Sequence, residues 1–349
     1  MQAARSGPRK HLGTALTATA LAAALCGAGT LPGHAVGPVG SAGATPASAT
    51  ASYPDPRHVT GDTEVHDPSA ARLADGNYVV YSTHNKIEAR VSQDGRTWRR
   101  AGSAFTEIPD WWHAYSPEGD PWAPEITYRD GVHWLYYAVS SFGSNHSAIG
   151  LATSPSGRPG TWQDRGVVFA TTTSDHYNAI DPAVIQADGK VWMSFGSYWT
   201  GIRMIELDRR TGKPAAADPE VLHLATRPDA PYAVEAPYIV RHGGHYYLFV
   251  SYDRCCAGTD STDNVRVGRA TSPTGPYYDR DGTPMTEGGG ELLLSGHGRY
   301  IGTGGQSVLR DRGRDVLVYH YYDAADDGRP KLGLNALTWG KDGWPVVSP

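Results

Sequence analysis

Four carboxylate side chains recur at one place in a repeating sequence pattern. Asp67, Glu125 and Asp181 each stand next to a proline, and Glu235 stands two residues before one. If the repeats bring them to one site, the four groups cannot all ionise freely, because burial and mutual repulsion raise the pKa of at least one. A protonated carboxyl beside an ionised carboxylate can give a proton to one atom and take a proton from another. The pattern therefore points to general acid–base chemistry.

The repeat that carries these residues predicts short β-strands. Each copy has an apolar run, a turn containing glycine and then a run rich in aromatic residues, which is typical of a β-hairpin. The prolines that open the copies, 55 to 58 positions apart, are Pro68, Pro124, Pro182 and Pro237. A fifth copy begins near Gln306 without the proline and turns between Asp311 and Asp315. We find no amphipathic stretch of ordinary helical length.

A third strand is expected after each hairpin, followed by a weaker outer strand. The third strands are predicted at 87–92, 148–153, 203–207, 265–270 and 332–338. Five such units predict an all-β fold, a five-bladed β-propeller. A β-sandwich would not explain why proline recurs at one place in the repeat. Because the first strands of a propeller line its channel, Asp67 and Glu235 are expected to meet at one mouth although they are 168 positions apart.

Carboxylates gathered in this way fit glycoside hydrolysis, in which one group protonates the departing oxygen and another activates water or attacks the sugar. Asp-Pro is also an ordinary turn dipeptide, so any single aspartate of the set is more readily structural, but four acids at equivalent positions favour catalysis. Aromatic rings that flank the predicted inner strands support a sugar ligand, because ring faces stack on sugar C–H faces. These rings are Trp111, Trp112, Trp122, Phe142, Trp199 and Tyr232. Others, set deeper in the strand pattern, are expected to pack between blades: Trp134, Trp192 and Tyr247.

Composition narrows the class of protein. The 349 residues carry a formal net charge of −5, which argues against a nucleic-acid partner because phosphate binding needs a positive field.

Residues 1–35 have the cations and the Ala-rich apolar run of a secretory signal peptide, and the run is short for a membrane anchor. Residues 36–52 read as a flexible linker, and 53–349 as the propeller domain. We expect a secreted monomer with no membrane attachment after the leader is removed.

Two cysteines follow the leader, Cys255 and Cys256, and they are neighbours. Adjacent thiols cannot make a long-range disulfide or a zinc cluster. They form either a vicinal disulfide or two buried thiols, and the sequence leaves both readings open.

Longer segments resemble one family of enzymes. The run at 140–154, Ser-Ser-Phe-Gly-Ser-Asn-His-Ser-Ala-Ile-Gly-Leu-Ala-Thr-Ser, is similar to the second blade of arabinan endo-1,5-α-L-arabinanases of glycoside hydrolase family 43. Further matching segments are His66-Asp67-Pro68-Ser69, Trp122-Ala123-Pro124-Glu125, Tyr177-Asn178-Ala179-Ile180-Asp181-Pro182, Gly196-Ser197-Tyr198-Trp199, Val234-Glu235-Ala236-Pro237-Tyr238 and 255–269. The resemblance covers nearly all of 53–349, although the segments around Asp67 and Asp181 are shared with xylosidases of the wider family.

The resemblance implies inverting, endo-acting hydrolysis of α-1,5-linked arabinan. Asp67 would be the general base and Glu235 the general acid, while Asp181 would hold that acid and raise its pKa through its own negative charge. Inversion implies a base and an acid roughly 6.5–9.5 Å apart, with room for water between them. Glu125 would be a structural or secondary carboxyl. The residues that would line the sugar are Trp122, Phe142, Gly143, Asn178, Ala179, Ile180, Ser197, Tyr198 and Trp199.

Rival functions and a metal stay open at this point. An exo-acting α-L-arabinofuranosidase or β-xylosidase would use the same scaffold, and a non-catalytic carbohydrate-binding propeller would keep the rings without needing the acids. The implied chemistry requires no cofactor, but the resemblance also suggests a calcium ion on the propeller axis, beside a histidine after Gly-x-Gly. Here 302–307 reads Gly-Thr-Gly-Gly-Gln-Ser, with no histidine. The carbonyl oxygen of Gln306 is the remaining candidate ligand.

Overall fold

The computed structural model describes residues 53–349, so the predicted leader and linker lie outside the described residues. These residues form five sheets, each running from an inner to an outer strand in chain order, except that the chain's first strand joins the outer edge of the first sheet, parallel to the chain's fifth strand. The first blade contains β1 (Thr60–Gly61), β2 (Ser69–Arg72), β3 (Tyr78–Ser82), β4 (Glu88–Ser92) and β5 (Thr97–Ser103). The second contains β6 (Pro121–Arg129), β7 (Val132–Val139), β8 (Ser147–Ser154) and β9 (Gln163–Thr171).

The remaining three blades repeat the plan. The third contains β10 (Ala183–Ala187), β11 (Lys190–Phe195), β12 (Ile202–Leu207) and β13 (Leu222–Ala225). The fourth contains β14 (Val234–His242), β15 (His245–Tyr252), β16 (Asn264–Ala270) and β17 (Glu291–Ser295). The fifth contains β18 (Tyr300–Asp311), β19 (Arg314–Asp323), β20 (Arg329–Trp339) and β21 (Pro345–Ser348). The helical elements among the described residues are short 3₁₀ turns at Asp110–Ala114, Gly258–Asp260 and Met285–Glu287. The predicted five-bladed propeller is confirmed.

Tight turns at the end of each inner strand account for the repeated glycine. Asp130 and Gly131, between β6 and β7, have φ of 52° and 84°. Asp188 and Gly189 repeat this geometry between β10 and β11, with φ of 52° and 79°. Two successive positive φ angles are what a two-residue hairpin turn requires, and Asp-Gly supplies them at low cost. These turns lie at the end of the propeller away from the strand starts that carry the acids.

Side chains from neighbouring blades interlock to form the core. There are five buried apolar clusters among the described residues, and each joins two adjacent blades. Tyr247 and Trp134 lie inside these clusters as predicted, and half-buried Trp192 packs against one of them. The prediction that Trp112 stacks on a sugar is wrong. Its ring is fully buried at the edge of Phe105 and within hydrogen-bond distance of the Tyr137 hydroxyl, so it is a core residue.

The ring closes between the first and fifth blades. Val80 and Trp98 of the first blade pack with Val318, Leu332 and Leu334 of the fifth. The segment before β2 adds main-chain hydrogen bonds, from Arg57 N–H to the Leu334 carbonyl and from Leu332 N–H to the Thr63 carbonyl, each 2.8 Å long. No helix within residues 53–349 is long and apolar enough to span a membrane.

Candidate active site

The starts of the inner strands meet on the propeller axis. A cavity of about 30 Å³, roughly the space of one water molecule, is lined there by residues from all five blades, including Asp67, Glu125, Asp181, Ala236 and Gln306. Asp67, Asp181 and Ala236 each precede one of the repeated prolines and adopt a left-handed backbone, with φ of 48°, 54° and 51°. Non-glycine residues seldom adopt this conformation. The same bend thus occurs where each of these inner strands begins.

Asp67 sits among groups that stabilise its negative charge. Its Oδ2 accepts a hydrogen bond from Thr83 Oγ1 at 2.7 Å and lies 2.8 Å from His66 Nδ1. Its backbone N–H donates to His320 Nδ1 at 3.1 Å. Burial alone would raise its pKa, but His66 and the Thr83 hydroxyl outweigh burial and hold the pKa of Asp67 well below its usual range. Asp67 is therefore an ionised carboxylate at neutral pH, as a general base must be.

Glu235, at the start of β14, has the opposite character. Its Oε2 accepts one hydrogen bond, from Ser197 Oγ at 2.8 Å. Burial raises the pKa of Glu235 to about 7, and the negative charges of Asp263 and Asp67 add to the rise. Glu235 can therefore carry a proton near neutral pH, as a general acid must.

Asp181 is held beside this acid. Its Oδ2 accepts a hydrogen bond from the backbone N–H of Ala236, the residue after Glu235, at 3.1 Å. Burial and the charges of Glu235 and Asp67 raise the pKa of Asp181 well above its usual range. No cationic side chain pairs with Asp181 or Glu235 among the described residues, so the two carboxyls together retain a proton into the neutral range.

Glu125 is a buried carboxyl of a different kind. It is 3% exposed, and its Oε2 accepts a hydrogen bond from Ser69 Oγ of the first blade at 2.9 Å. Ser69 Oγ in turn accepts from the backbone N–H of Ile126 at 3.1 Å. Burial raises the pKa of Glu125 to about 8. Its contacts tie the first blade to the second.

The predicted sugar-lining residues fall into two groups. Ser197 contacts Glu235, and the charge of Glu235 helps burial to raise the pKa of Tyr198 to about 12, so both side chains belong to the neighbourhood of the acid. Trp199, Phe142 and Gly143 are exposed on loops that leave the same end of the propeller, and Trp122 is half-buried there. The residues that are buried, and so offer little side-chain surface, are Asn178, Ala179 and Ile180.

Several residues at this site were not predicted from the sequence. The ring of His320, on β19, stacks on His66 with centroids 3.9 Å apart. Tyr322 Oη lies 2.8 Å from His66 Nε2 and accepts a hydrogen bond from the backbone N–H of Cys256 at 2.8 Å. Cys255 and Cys256 form a disulfide, which decides between the two readings left open above. A histidine inside the otherwise apolar and aromatic strand at 316–322 was the available signal for His320.

One group of side chains could hold a metal ion. His66, Asp67 and His320 offer donor atoms that lie within 4.8 Å of one another. Two of these donors are imidazole nitrogens, whereas calcium is bound by oxygen atoms, so this group does not fit calcium. Gln306, the sequence candidate, uses its amide within the protein: Oε1 accepts from Ser251 Oγ at 2.8 Å, and Nε2 donates to the Ala236 carbonyl.

A family model and two curated relatives match most of this chain. The family model for glycosyl hydrolases family 43 matches residues 57–345. The extracellular endo-α-(1→5)-L-arabinanase 1 of Bacillus subtilis (strain 168) is 43% identical over 287 residues, covering 80% of this chain and 87% of the relative. The extracellular exo-α-(1→5)-L-arabinofuranosidase ArbA of Cellvibrio japonicus (strain Ueda107) is 40% identical over 302 residues, covering 81% of this chain and 86% of the relative.

A solved structure agrees. The α-L-arabinanase of Cellvibrio cellulosa, in complex with arabinohexaose, superposes with a TM-score of 0.78 at 39% identity, over 82% of this chain and 95% of that chain. The family match extends from before the first inner strand to the outermost strand of the last blade, and so includes all the carboxyls described above. The chain belongs to family 43 of the glycosyl hydrolases.

Proposed function

We propose that this protein is a secreted arabinan endo-1,5-α-L-arabinanase that hydrolyses its substrate with inversion. The observation that carries the proposal is the contrast between two carboxyls at one strand-start cluster. Asp67 is stabilised as a carboxylate by the His66 imidazole and the Thr83 hydroxyl, whereas burial raises the pKa of Glu235 to about 7. Two carboxyls with pKa values pushed apart are the equipment for acid–base hydrolysis of a glycoside.

In the proposed reaction, Asp67 removes a proton from a water molecule as that water attacks the anomeric carbon. Glu235 donates its proton to the departing glycosidic oxygen on the opposite side of the sugar. One bond forms and one breaks in the same step, so the anomeric configuration inverts. Asp181 holds the main chain next to Glu235 through Ala236 and shares a proton with Glu235. The step uses protein carboxyls and water, and no cofactor.

The substrate proposal follows from the relatives, whose names describe an endo-α-(1→5)-L-arabinanase and an exo-α-(1→5)-L-arabinofuranosidase, and from the arabinohexaose in one related structure. Exposed aromatic rings on the same end of the propeller support binding of a polymer. Phe142 is 86% exposed, Tyr232 60% and Trp199 41%. Rings spread over separate loops suit several sugar units better than one, which favours endo action. The extracellular relatives and the predicted leader favour secretion, and we expect a monomer.

The second candidate is exo action, since ArbA is an exo-acting relative at 40% identity. Product analysis on debranched linear arabinan separates the two. Endo action predicts a mixture of arabino-oligosaccharides early in the reaction, whereas exo action releases one product size throughout. Proton NMR of the first products should show the inverted, β-configured anomer before mutarotation. Retention of configuration would overturn the proposed mechanism, and no hydrolysis at all would leave a carbohydrate-binding propeller.

A further inference from the structure

A fully buried carboxylate beneath the proposed base has no hydrogen-bond partner. Asp263, in the loop before β16, is 1% exposed, and neither of its oxygens meets a donor among the described residues. The backbone of β18 makes room for it: a Cβ on Gly302 would lie 2.4 Å from Oδ1, and a Cβ on Gly304 would lie 2.4 Å from Oδ2. A buried, unpaired carboxylate destabilises a fold, so its presence calls for a functional reason.

The polar group that faces Asp263 is His320. The Nε2 atom of His320 lies 3.6 Å from Asp263 Oδ2, is buried and has no other partner among the described residues. On the other side of the ring, Nδ1 accepts the backbone N–H of Asp67 at 3.1 Å. A neutral imidazole that accepts at Nδ1 carries its proton on Nε2, which then points towards Asp263. Polar contacts in a substrate-free site are often long and tighten when substrate binds.

The orientation of His320 matters because of the backbone conformation of Asp67. Asp67 has a φ of 48°, which a non-glycine residue keeps only where its surroundings hold it. The bond from its N–H to His320 Nδ1 is one such restraint, and the stacking of His320 on His66 is another, since His66 contacts the carboxylate itself. If the proton of His320 moved to Nδ1, it would face the Asp67 N–H and the restraint would be lost.

We propose that Asp263 is a positioning residue for the general base, acting through His320. Its carboxylate holds His320 in the Nε2–H tautomer, and His320 Nδ1 then holds the main chain of Asp67 in the geometry needed to activate water. This role rests on the proposed function, in which Asp67 is the base. It resembles the way a buried aspartate fixes the tautomer of a catalytic histidine in hydrolase triads, except that here the histidine holds a backbone group.

The test compares Asp263→Ala with Asp263→Asn. The alanine variant removes the acceptor, and we expect kcat on arabinan to fall by about 100-fold with little change in KM, because a small displacement of a reacting group has this effect. The Asn variant keeps an acceptor oxygen and should recover most of kcat. In ¹⁵N-labelled protein, the His320 side-chain resonances should leave the Nε2–H pattern in Asp263→Ala and keep it in Asp263→Asn.

A second aspartate in the same loop provides the control. Asp253→Asn, in the same loop but paired with Arg227 at 3.2 Å, should leave both kcat and the His320 resonances unchanged. If Asp263→Ala does not fold, Asp263→Ser serves instead, since its hydroxyl is too short to reach Nε2. An unchanged His320 tautomer or an unchanged kcat in these variants would overturn the proposal. Asp67→Asn distinguishes failure of the proposed function from failure of the role of Asp263. If Asp67→Asn remains active, the base itself is wrongly assigned. If Asp67→Asn is inactive and Asp263→Ala is fully active, only the role of Asp263 is rejected.

Discussion

At the scale of single residues, Asp67 and Glu235 show how neighbours give similar carboxyls different chemistry. Burial raises the pKa of both, but Asp67 also meets His66 and Thr83, and its pKa ends well below the usual range. Glu235 has one hydroxyl donor and negative neighbours, and its pKa is raised to about 7. Ser197, the donor to Glu235, lies on the third blade, and Asp67, one of the negative neighbours of Glu235, on the first, so the difference depends in part on the ring being closed.

The hydrogen bond from Ser197 can be tested through the pH profile. This bond stabilises ionised Glu235 and so lowers its pKa; removing it in Ser197→Ala should raise that pKa further. Because Glu235 acts in its protonated form, activity is lost as the pH rises through this pKa, and the alkaline limb of kcat/KM should move to higher pH. The matched control is Ser194→Ala, which changes a buried serine near the end of β11, three residues before Ser197, that bonds the Ala183 carbonyl. A limb that stays in place in Ser197→Ala would contradict the contact.

Asp181→Asn tests the second carboxyl at the acid. Asn can still accept the Ala236 N–H, but it removes the second carboxyl that shares a proton with Glu235 and that is negatively charged once this proton is lost. Loss of that charge should lower the pKa of Glu235, so the alkaline limb should move to lower pH, opposite to the shift in Ser197→Ala. A profile that falls in height without moving would show that Asp181 acts by position alone.

At the scale of elements, the repeat predicted the inner, second and third strands well, because Asp-Gly turns and aromatic runs are local signals. The outer strands of the third and fourth blades, β13 and β17, were expected but could not be located in the sequence, since they are short and owe their place to pairing with β12 and β16. The sequence also predicted that Asp67 and Asp181 lie at one end of the propeller, because equivalent positions of all blades meet there. Asp263 and His320 could not be paired from the sequence, because their contact depends on how the loop before β16 lies over β18 and β19.

Glu125 links two elements and should make stability depend on pH. Its folded pKa, about 8, lies above the ordinary value of 4.5, so the folded state holds a proton that the unfolded chain has lost. The contribution of this proton to the free energy of unfolding is complete below about pH 4.5. It declines by about 1.4 kcal/mol per pH unit until the pH passes the pKa of Glu125 in the folded state. Glu125→Gln keeps the acceptor for Ser69 without the ionisation. Melting temperatures from pH 5 to 8 should therefore fall more steeply for the natural protein than for Glu125→Gln, and parallel curves would contradict a protonated Glu125.

At the scale of the whole molecule, the site exists because five blades close into a ring. Apolar clusters join every pair of neighbouring blades, and the axial cavity takes lining residues from all five. The first and fifth blades are brought together by side-chain packing and by the segment at 53–63, which bonds to β20. A change at this seam should therefore weaken the whole site, including Asp181 and Glu235 on the third and fourth blades.

A truncation tests this closure. A chain that begins at Glu64 loses the bonds of Arg57 and Thr63 to the fifth blade, and of Asp55 to Asn335. Relative to a chain that begins at Tyr53, we expect its melting temperature to fall by roughly 5 °C or more. Calorimetry of the two chains checks the effect, and equal melting temperatures would show that the apolar cluster closes the ring without this segment.

Asp67 and Glu235 are proposed to divide the roles of base and acid at one sugar, and the dependence of activity on the leaving group distinguishes the two roles. Glu235→Gln and Asp67→Asn would be assayed on linear arabinan and on a dinitrophenyl arabinofuranoside, whose leaving group departs without protonation. We predict that Glu235→Gln loses about 10³-fold in kcat/KM on arabinan but stays within about tenfold on the aryl substrate, whereas Asp67→Asn loses activity on both. If Glu235→Gln lost equal activity on the two substrates, or if Asp67→Asn stayed active, this assignment of acid and base would be wrong.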